Sequence, residues 1–258
     1  MHTTTKISAL TPVEKRDGLF FKRDDAFVVN GVRGGKVRAC LQLAQGAKAL
    51  VCASSRFSPQ VSIVARVAES LGIPARVHMP EGDETPTMKD GIVHGAKIIR
   101  HSPGYKSVIV ARAREDAEKN EKKGCRLIPW GMESTAQVDG TAAQVGNIPK
   151  EAKRVVVPVA YAISLAGVLQ GMAKNKINKP VLGVCVSSDP SERLDKWAPK
   201  GWRDMVELVQ SPLEYHELPQ ERSVCGIDLD PVYEAKCVPF LKKGDLFWII
   251  GIRPAGTA

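Results

Sequence analysis

Short apolar runs alternate with amphipathic stretches along most of the chain. Residues 48–53 (KALVCA) have the pattern of a buried strand, and residues 58–71 place apolar side chains on one face at helical spacing. The same two patterns recur, which predicts further strands at 75–79, 97–100, 125–130, 154–159 and 180–186 and further helices at 85–95, 105–122 and 164–174. Strands that alternate with helices through short Gly or Pro connections predict an α/β protein, with parallel sheets flanked by helices.

Length and composition are those of an ordinary globular protein. The chain has 258 residues, of which 43% are hydrophobic and 25% charged. No segment approaches the roughly 20 apolar residues of a transmembrane helix, and the N-terminal residues contain no apolar run of signal-peptide length. We therefore expect a cytoplasmic protein with no membrane partner. The cysteines form no CxxC pair and the histidines show no metal-ligand spacing, so no metal site is predicted.

The net charge of +9 favours anionic partners or substrates. Basic residues are spread along the chain, with local concentrations at 119–123 and 174–179. No aromatic-interleaved basic stripe and no nucleic-acid-binding motif accompanies them. Charge alone therefore leaves a nucleic-acid partner open without indicating one.

Lys36 is the strongest candidate for covalent chemistry. It follows Gly34 and Gly35 at the start of a helical pattern. A lysine amine is useful as a Schiff-base nucleophile only when its pKa is lowered and its position is fixed, and a tight glycine entry into a helix start supplies a constrained backbone and a positive dipole end. The alternative is a solvated surface lysine.

Two motifs at opposite ends of the chain resemble those of one enzyme family. Residues 22–25 (KRDD) and 34–38 (GGKVR) resemble the "KRED... GGNKxR" segment of the fold type II pyridoxal-phosphate enzymes, in particular the group of 1-aminocyclopropane-1-carboxylate deaminase and D-cysteine desulfhydrase. Residues 229–236 (LDPVYEAK) resemble the "DPVYEGK" segment of that group, and residues 244–248 (GDLFW) follow in place of its last core strand.

The resemblance implies a fold, a cofactor and an assembly. The fold is that of the tryptophan synthase β-like proteins, with two α/β lobes: a large cofactor-binding lobe formed by 1–44 plus 141–258, and a smaller inserted lobe formed by 45–140. The cofactor is pyridoxal 5'-phosphate, held by Lys36 as a Schiff base in the cleft between the lobes. A homodimer is expected.

Ser58 is the second residue to which the resemblance gives a role. Residues 53–60 (ASSRFSPQ) resemble the family's "GG-x-QSNH" loop, and Ser58 matches the serine beside the cofactor. The family's asparagine and histidine are replaced by Pro59 and Gln60. The alternative is an ordinary helix start, with Ser58 as the N-cap and Pro59 in the first helical position.

Tyr233 and Glu234 lie inside the second motif. The resemblance places Glu234 at the pyridine nitrogen, where a carboxylate keeps the ring protonated and the cofactor strongly electron-withdrawing. It makes Tyr233 an acid, base or nucleophile toward the substrate. The alternatives are a surface helical glutamate beside Lys236 and a tyrosine ring packed in the core.

The expected phosphate loop is the main departure from the family pattern. After the strand at 154–159 the family has a glycine-rich loop, whereas this chain has residues 160–167 (AYAISLAG), without the expected glycines. Ser164, Ala162 and Ile163 remain the expected contacts to the phosphate. Three explanations stay open: a rebuilt phosphate site, weakened cofactor affinity, or a retained fold without a cofactor.

The pattern as a whole predicts a pyridoxal-phosphate-dependent lyase or deaminase that acts on an amino acid or another amine-bearing substrate. Deamination, β-elimination and racemisation all begin from the expected arrangement, and the sequence does not choose among them. Two alternatives are an enzyme of the same chemistry that acts on a modified, aminoacylated nucleotide in nucleic acid, and a noncatalytic binding protein that has kept the fold.

Overall fold

The computed structural model of the protein describes residues 6–102 and 104–257. The α-helices are α1 (Gly35–Leu43), α2 (Gln60–Ser70), α3 (Pro86–Val93), α4 (Lys106–Lys119), α5 (Thr135–Ala142), α6 (Ile163–Lys174) and α7 (Ser191–Trp197). The strands are β1 (Val13–Arg16), β2 (Leu19–Arg23), β3 (Val28–Val29), β4 (Val32–Gly34), β5 (Ala49–Ala53), β6 (Ala75–Pro80), β7 (Ala96–His101), β8 (Cys125–Ile128), β9 (Arg154–Val159), β10 (Val181–Cys185), β11 (Val206–Gln210), β12 (Ser223–Val224), β13 (Ile227–Asp228), β14 (Asp245–Ile249) and β15 (Gly251–Ile252).

The predicted fold class is confirmed. Every strand and helix predicted from the hydrophobic pattern is present, with bounds within three residues of the predicted ones. The largest difference is at the end of α4, which stops at Lys119 and continues after a break as a short 3-10 segment, Glu121–Lys123. The break comes at Asn120, a residue that favours helix ends over helix interiors.

Contacts within the chain divide it into two compact units. The first consists of Val28–Glu133 with the described residues from Arg253 onward, and the second of Ser134–Ile252 with the described residues up to Phe27. The lobes expected from the resemblance are 1–44 plus 141–258 and 45–140. They differ from these units because α1 falls in the first unit, together with residues 45–133, and residues 134–140 fall in the second. The role of either unit as the cofactor-binding lobe stays a prediction.

The first unit is built on a parallel four-stranded sheet in the order β7-β6-β5-β8. Alternate side chains of β5, Val51 and Ala53, pack against Ile109 and Ala113 of α4. Helix α2 buries Val61, Val64 and Ala65, among other apolar side chains, and also contacts β5 and β6. Both neighbours of β5 run parallel to it, so the loops that follow β5 and β8 meet at the same edge of the sheet.

The second unit is built on a six-stranded sheet in the order β1-β2-β14-β9-β10-β11. All pairs are parallel except β1 and β2, an antiparallel edge hairpin that the sequence analysis did not predict. Leu246 and Trp248 of β14 belong to the core that contains α6, whereas Phe247 and Ile249 belong to the core that contains Leu229. The sheet is therefore covered by apolar layers on both faces.

Helices α5 and α6 of this unit pack at very short range through two glycines. A Cβ added to Gly167 would lie 2.6 Å from Cβ of Thr141, and one added to Gly171 would lie 2.5 Å from the carbonyl oxygen of Ala142. The contacts advance in the same direction along both helices, so the helices run parallel. Their N-termini therefore lie at the same end of the pair.

None of the helices within the described residues is long and apolar enough to cross a bilayer.

Replacement of Gly171 by alanine is expected to lower the free energy of unfolding by about 1–3 kcal/mol, because the added methyl group overpacks the contact with Ala142. Lys174→Ala, at an exposed position of the same helix, is the control and should change stability by less than about 0.5 kcal/mol. Urea unfolding followed by circular dichroism measures both. Equal stability of the two variants would contradict the close packing.

Candidate active site

Lys36 occupies the second position of α1 in the first unit. Gly34, which precedes the helix, has φ 122°, a conformation that only glycine adopts without strain. Gly35 is the first helical residue, and the Lys36 side chain is half-buried. The glycine pair thus sets the direction in which the chain enters α1, and the role of Lys36 stays a prediction.

Ser58 lies in the loop between β5 and α2, also in the first unit. Its hydroxyl Oγ accepts a hydrogen bond from the backbone N–H of Gln60 at 3.2 Å, and the residue is half-buried. Helix α2 begins at Gln60, two residues later than predicted, with Pro59 in the capping position. Ser58 therefore stabilises the helix start, and its hydroxyl hydrogen remains a donor that this contact does not use.

Gln60 joins two loops of the first unit, a role that the sequence analysis missed. Its side chain is buried; Oε1 accepts from the backbone N–H of Gly131 at 2.7 Å, and Nε2 donates to the carbonyl of Pro129 at 3.0 Å. The loop with Ser58 and the turn after β8 are thus held together by one amide. The only signal in the sequence for this role was that Gln60 stands where the resembled family has a histidine.

The loop expected to bind phosphate links β9 to α6 in the second unit. Ala162 caps α6 in the left-handed conformation, with φ 61°, and Ser187 Oγ donates to the carbonyl of Ala160 at 2.8 Å. The turn thus requires a left-handed backbone conformation, which glycine adopts most easily. Here Ala162 adopts it, at a cost of about 1 kcal/mol. Ile163 and Ser164 are the first two residues of α6, and both are buried.

Gln137 of α5 is a further polar residue at this helix start that the sequence analysis missed. Its Nε2 donates to Ser164 Oγ and to Thr141 Oγ1, each at 3.2 Å. The residue is buried (1% exposed), and its Oε1 has no hydrogen-bond partner among the described residues. Only the packing of α5 against α6 brings this amide to Ser164, 27 residues away along the chain.

Glu234 is buried (2% exposed), so the alternative of a surface glutamate is wrong. Its Oε1 accepts from the backbone N–H groups of Ile250 and Gly251, at 3.1 and 3.2 Å, just beyond β14. Its Oε2 has no hydrogen-bond partner among the described residues. Burial, together with the nearby charge of Asp230, raises the pKa of the Glu234 carboxyl well above its usual value.

Tyr233 is half-buried, and its hydroxyl lies 2.8 Å from the hydroxyl of Tyr215. Tyr215 is held in turn by Lys236, whose Nζ donates to the backbone carbonyls of Glu214 and Tyr215. Lys236 is itself buried, and burial lowers the pKa of its ammonium. The final lysine of the second motif thus has a structural role, and it brings a second phenol to Tyr233.

Lys22, in the first motif, is also structural. Its buried ammonium donates to the carbonyl of Thr11 at 2.7 Å, to Asn147 Oδ1 at 2.8 Å and to Gln144 Oε1 at 3.2 Å. The contacts tie the N-terminal strands to the segment that follows α5. The motif residues Arg23 and Asp25 form a two-bond ion pair, with both N–O distances 2.8 Å.

Comparison with known proteins identifies the kind of protein to which these features belong. The family model described as "Pyridoxal-phosphate dependent enzyme" matches residues 3–222. No curated protein sequence matches the chain.

Solved structures with the same fold include a homologue of ACC deaminase, with 20% sequence identity over 97% of this chain and 95% of that one and a TM-score of 0.79. Threonine deaminase isoform 2 of Solanum lycopersicum, in its processed form, is 15% identical over 94% of this chain and 79% of its own, with a TM-score of 0.63. Maize serine racemase is 16% identical over 95% and 88%, also with a TM-score of 0.63. Identities this low establish the fold alone.

Replacement of Glu234 by glutamine is expected to stabilise the cofactor-free protein, and to do so more at pH 8 than at pH 5. A carboxyl whose pKa is raised by folding costs no stability below its pKa in the unfolded chain, about 4.3; the cost grows as the pH rises from that value to the folded-state pKa and stays constant above it. Each unit of raised pKa corresponds to about 1.4 kcal/mol. Urea unfolding at the two pH values measures the difference.

Glu207→Gln, at an exposed position of β11, is the matched control and should leave stability nearly unchanged at both pH values. An effect of Glu234→Gln that is the same at pH 5 and pH 8 would show that folding does not raise the pKa of the Glu234 carboxyl.

Proposed function

Because the chain belongs to the family of pyridoxal-phosphate-dependent enzymes, we propose that it is a lyase or deaminase that acts on an amino acid or another amine-bearing substrate. The observation that carries this proposal is the buried carboxylate of Glu234, one oxygen of which has no hydrogen-bond partner among the described residues. A protonated pyridine nitrogen is the kind of donor that such an oxygen requires, and it would also offset the buried charge.

The residues of the chain fit the cofactor at three points. Glu234 offers an acceptor for the ring nitrogen, the first turn of α6, which includes Ser164, offers backbone N–H donors for the phosphate, and Lys36 offers an amine at a constrained helix start. When bound, pyridoxal phosphate supplies a ring that withdraws electrons from the substrate carbon next to the amine.

Each residue has a separate role in the proposed reaction. Lys36 would hold the cofactor through its amine, and the same amine would move a proton at the substrate carbon next to the substrate's amine. The Ser58 hydroxyl donates to the substrate carboxylate. Tyr233, with its hydroxyl paired to Tyr215, exchanges a proton with the substrate, and Ser164 with the backbone of Ala162 and Ile163 binds phosphate.

A carboxylate at the ring nitrogen favours reactions that pass through a negatively charged substrate carbon, because it keeps the ring protonated. Deamination, elimination and racemisation share this requirement. Similar structures include a threonine deaminase, a serine racemase and a diaminopropionate ammonia lyase. These names support the reaction class but do not select one substrate for this chain.

The purified wild-type protein is expected to develop a visible absorbance band when pyridoxal phosphate is added, and Lys36→Ala is expected not to. Lys106→Ala is the matched control, because Lys106 is also a lysine at a helix start, the first residue of α4. The control should form the band as the wild type does. A band of equal strength in Lys36→Ala would remove Lys36 from the proposal, and no band in the wild type would favour the noncatalytic alternative.

A substrate that is part of a nucleic acid is a second candidate, supported by the net charge of +9 and by exposed lysines that include Lys119, Lys122 and Lys174. Contacts to phosphates would make binding weaken steeply with salt. A screen of free amino acids and of oligonucleotides that carry amine-modified bases, at about 50 and 200 mM salt, distinguishes the two. Product from free amino acids alone would exclude the second candidate.

The proposal includes a homodimer, as the family resemblance implies, and a location in the cytoplasm. Sedimentation of the purified protein measures the first point, and localisation of the tagged full chain the second.

A further inference from the structure

The glycine-poor start of α6 lies beside a second helix start in the same unit. Helices α5 and α6 run parallel, in contact through Gly167 and Gly171, and Gln137 in the first turn of α5 is hydrogen bonded to Ser164 in the first turn of α6. Two parallel N-termini present two sets of N–H groups and two positive dipole ends at one place. Such an end attracts an anion more strongly than a single helix does.

The Gln137 amide points to a ligand at this place. In the observed orientation Nε2 donates to the hydroxyls of Thr141 and Ser164, and the buried Oε1 has no hydrogen-bond partner among the described residues. Rotation of the amide by half a turn would let Oε1 accept from both hydroxyls and would turn two N–H donors toward the position that lacks a partner. An anion bound there selects this second orientation, because it accepts the hydrogen bonds that buried N–H groups require.

Arg193 of α7 brings a cation to the same loop. Its Cζ lies 3.7 Å from the ring centroid of Tyr161, the residue just before the α6 cap, Ala162. A guanidinium stacked flat on an aromatic ring keeps its N–H groups available around its edge. Among the described residues no carboxylate forms an ion pair with Arg193, whereas Arg203, whose Cζ lies 4.4 Å from the ring centroid of Trp202, is paired with Asp195.

We propose that Gln137 and Arg193 complete the binding site for the cofactor phosphate and replace the backbone contacts of the missing glycine loop. The inference rests on the proposed function, and it assigns this chain a phosphate site made of two helix N-termini, a rotated amide and a stacked arginine. The side chain of Tyr161, too bulky for a glycine-type loop, positions the arginine.

The test compares pyridoxal phosphate with pyridoxal, which has the same ring and aldehyde but no phosphate. Each is titrated into cofactor-free wild type, Arg193→Met and Arg203→Met, with the visible absorbance band as the readout. Arg193→Met is expected to weaken pyridoxal phosphate binding by about 10- to 100-fold, the value of a hydrogen bond to a charged group, and to leave pyridoxal binding unchanged. Arg203→Met should bind both compounds as the wild type does.

Gln137→Leu tests the amide with a readout that needs no cofactor. Inorganic phosphate is expected to raise the melting temperature of the cofactor-free wild type, and to raise it much less in Gln137→Leu and Arg193→Met. Each variant is compared with itself without phosphate, so a loss of intrinsic stability does not affect the result.

The outcomes separate this inference from the proposed function. Wild-type affinity of Arg193→Met for pyridoxal phosphate, or an equal phosphate effect on the melting temperature of all variants, would overturn the assignment while the proposed function stands. A wild type that forms no band with either compound would remove the proposed function, and with it the cofactor as the ligand. A loss of affinity for pyridoxal equal to that for pyridoxal phosphate would also overturn the assignment, because the arginine would then not act on the phosphate.

Discussion

The burial of the second unit's sheet on both faces determines where polar chemistry can lie. Side chains of β14 alternate between two apolar layers, so neither face can hold a charged group without a partner. Polar residues are therefore concentrated beyond the carboxyl ends of the strands: Ser164 after β9, Tyr215 after β11, and the backbone amides that bind Glu234 after β14. The candidate site in this unit is a consequence of how its core is packed.

Glu234 shows that burying a reactive group near the carboxyl end of a strand costs stability. Two backbone amides satisfy one oxygen, while the other is buried without a hydrogen bond among the described residues. A protein selected for stability alone would place a glutamine or an apolar residue there. The carboxylate is therefore best explained by a ligand that completes it. The same reasoning applies to Gln137, whose amide is buried and only half satisfied.

Local sequence patterns predicted strands β5 to β10, helices α2, α3, α4 and α6 and the helix start that carries Lys36, because periodicity and glycine placement act over a few residues. They did not predict the β1–β2 hairpin. They could not predict the contacts that join distant segments. Tyr215 meets Tyr233 across 18 residues and Gln137 meets Ser164 across 27, and both contacts depend on packing that no short pattern encodes. Burial likewise excluded the surface position of Glu234, which its neighbours in the sequence had left open.

The hydroxyl pair of Tyr215 and Tyr233 changes what either ring can do alone. Two phenols 2.8 Å apart share one hydrogen between their oxygens, so one hydroxyl donates to the other, and the accepting hydroxyl keeps its own O–H for a different acceptor. The two rings thus form one hydrogen-bonded unit, assembled from residues of two different loops.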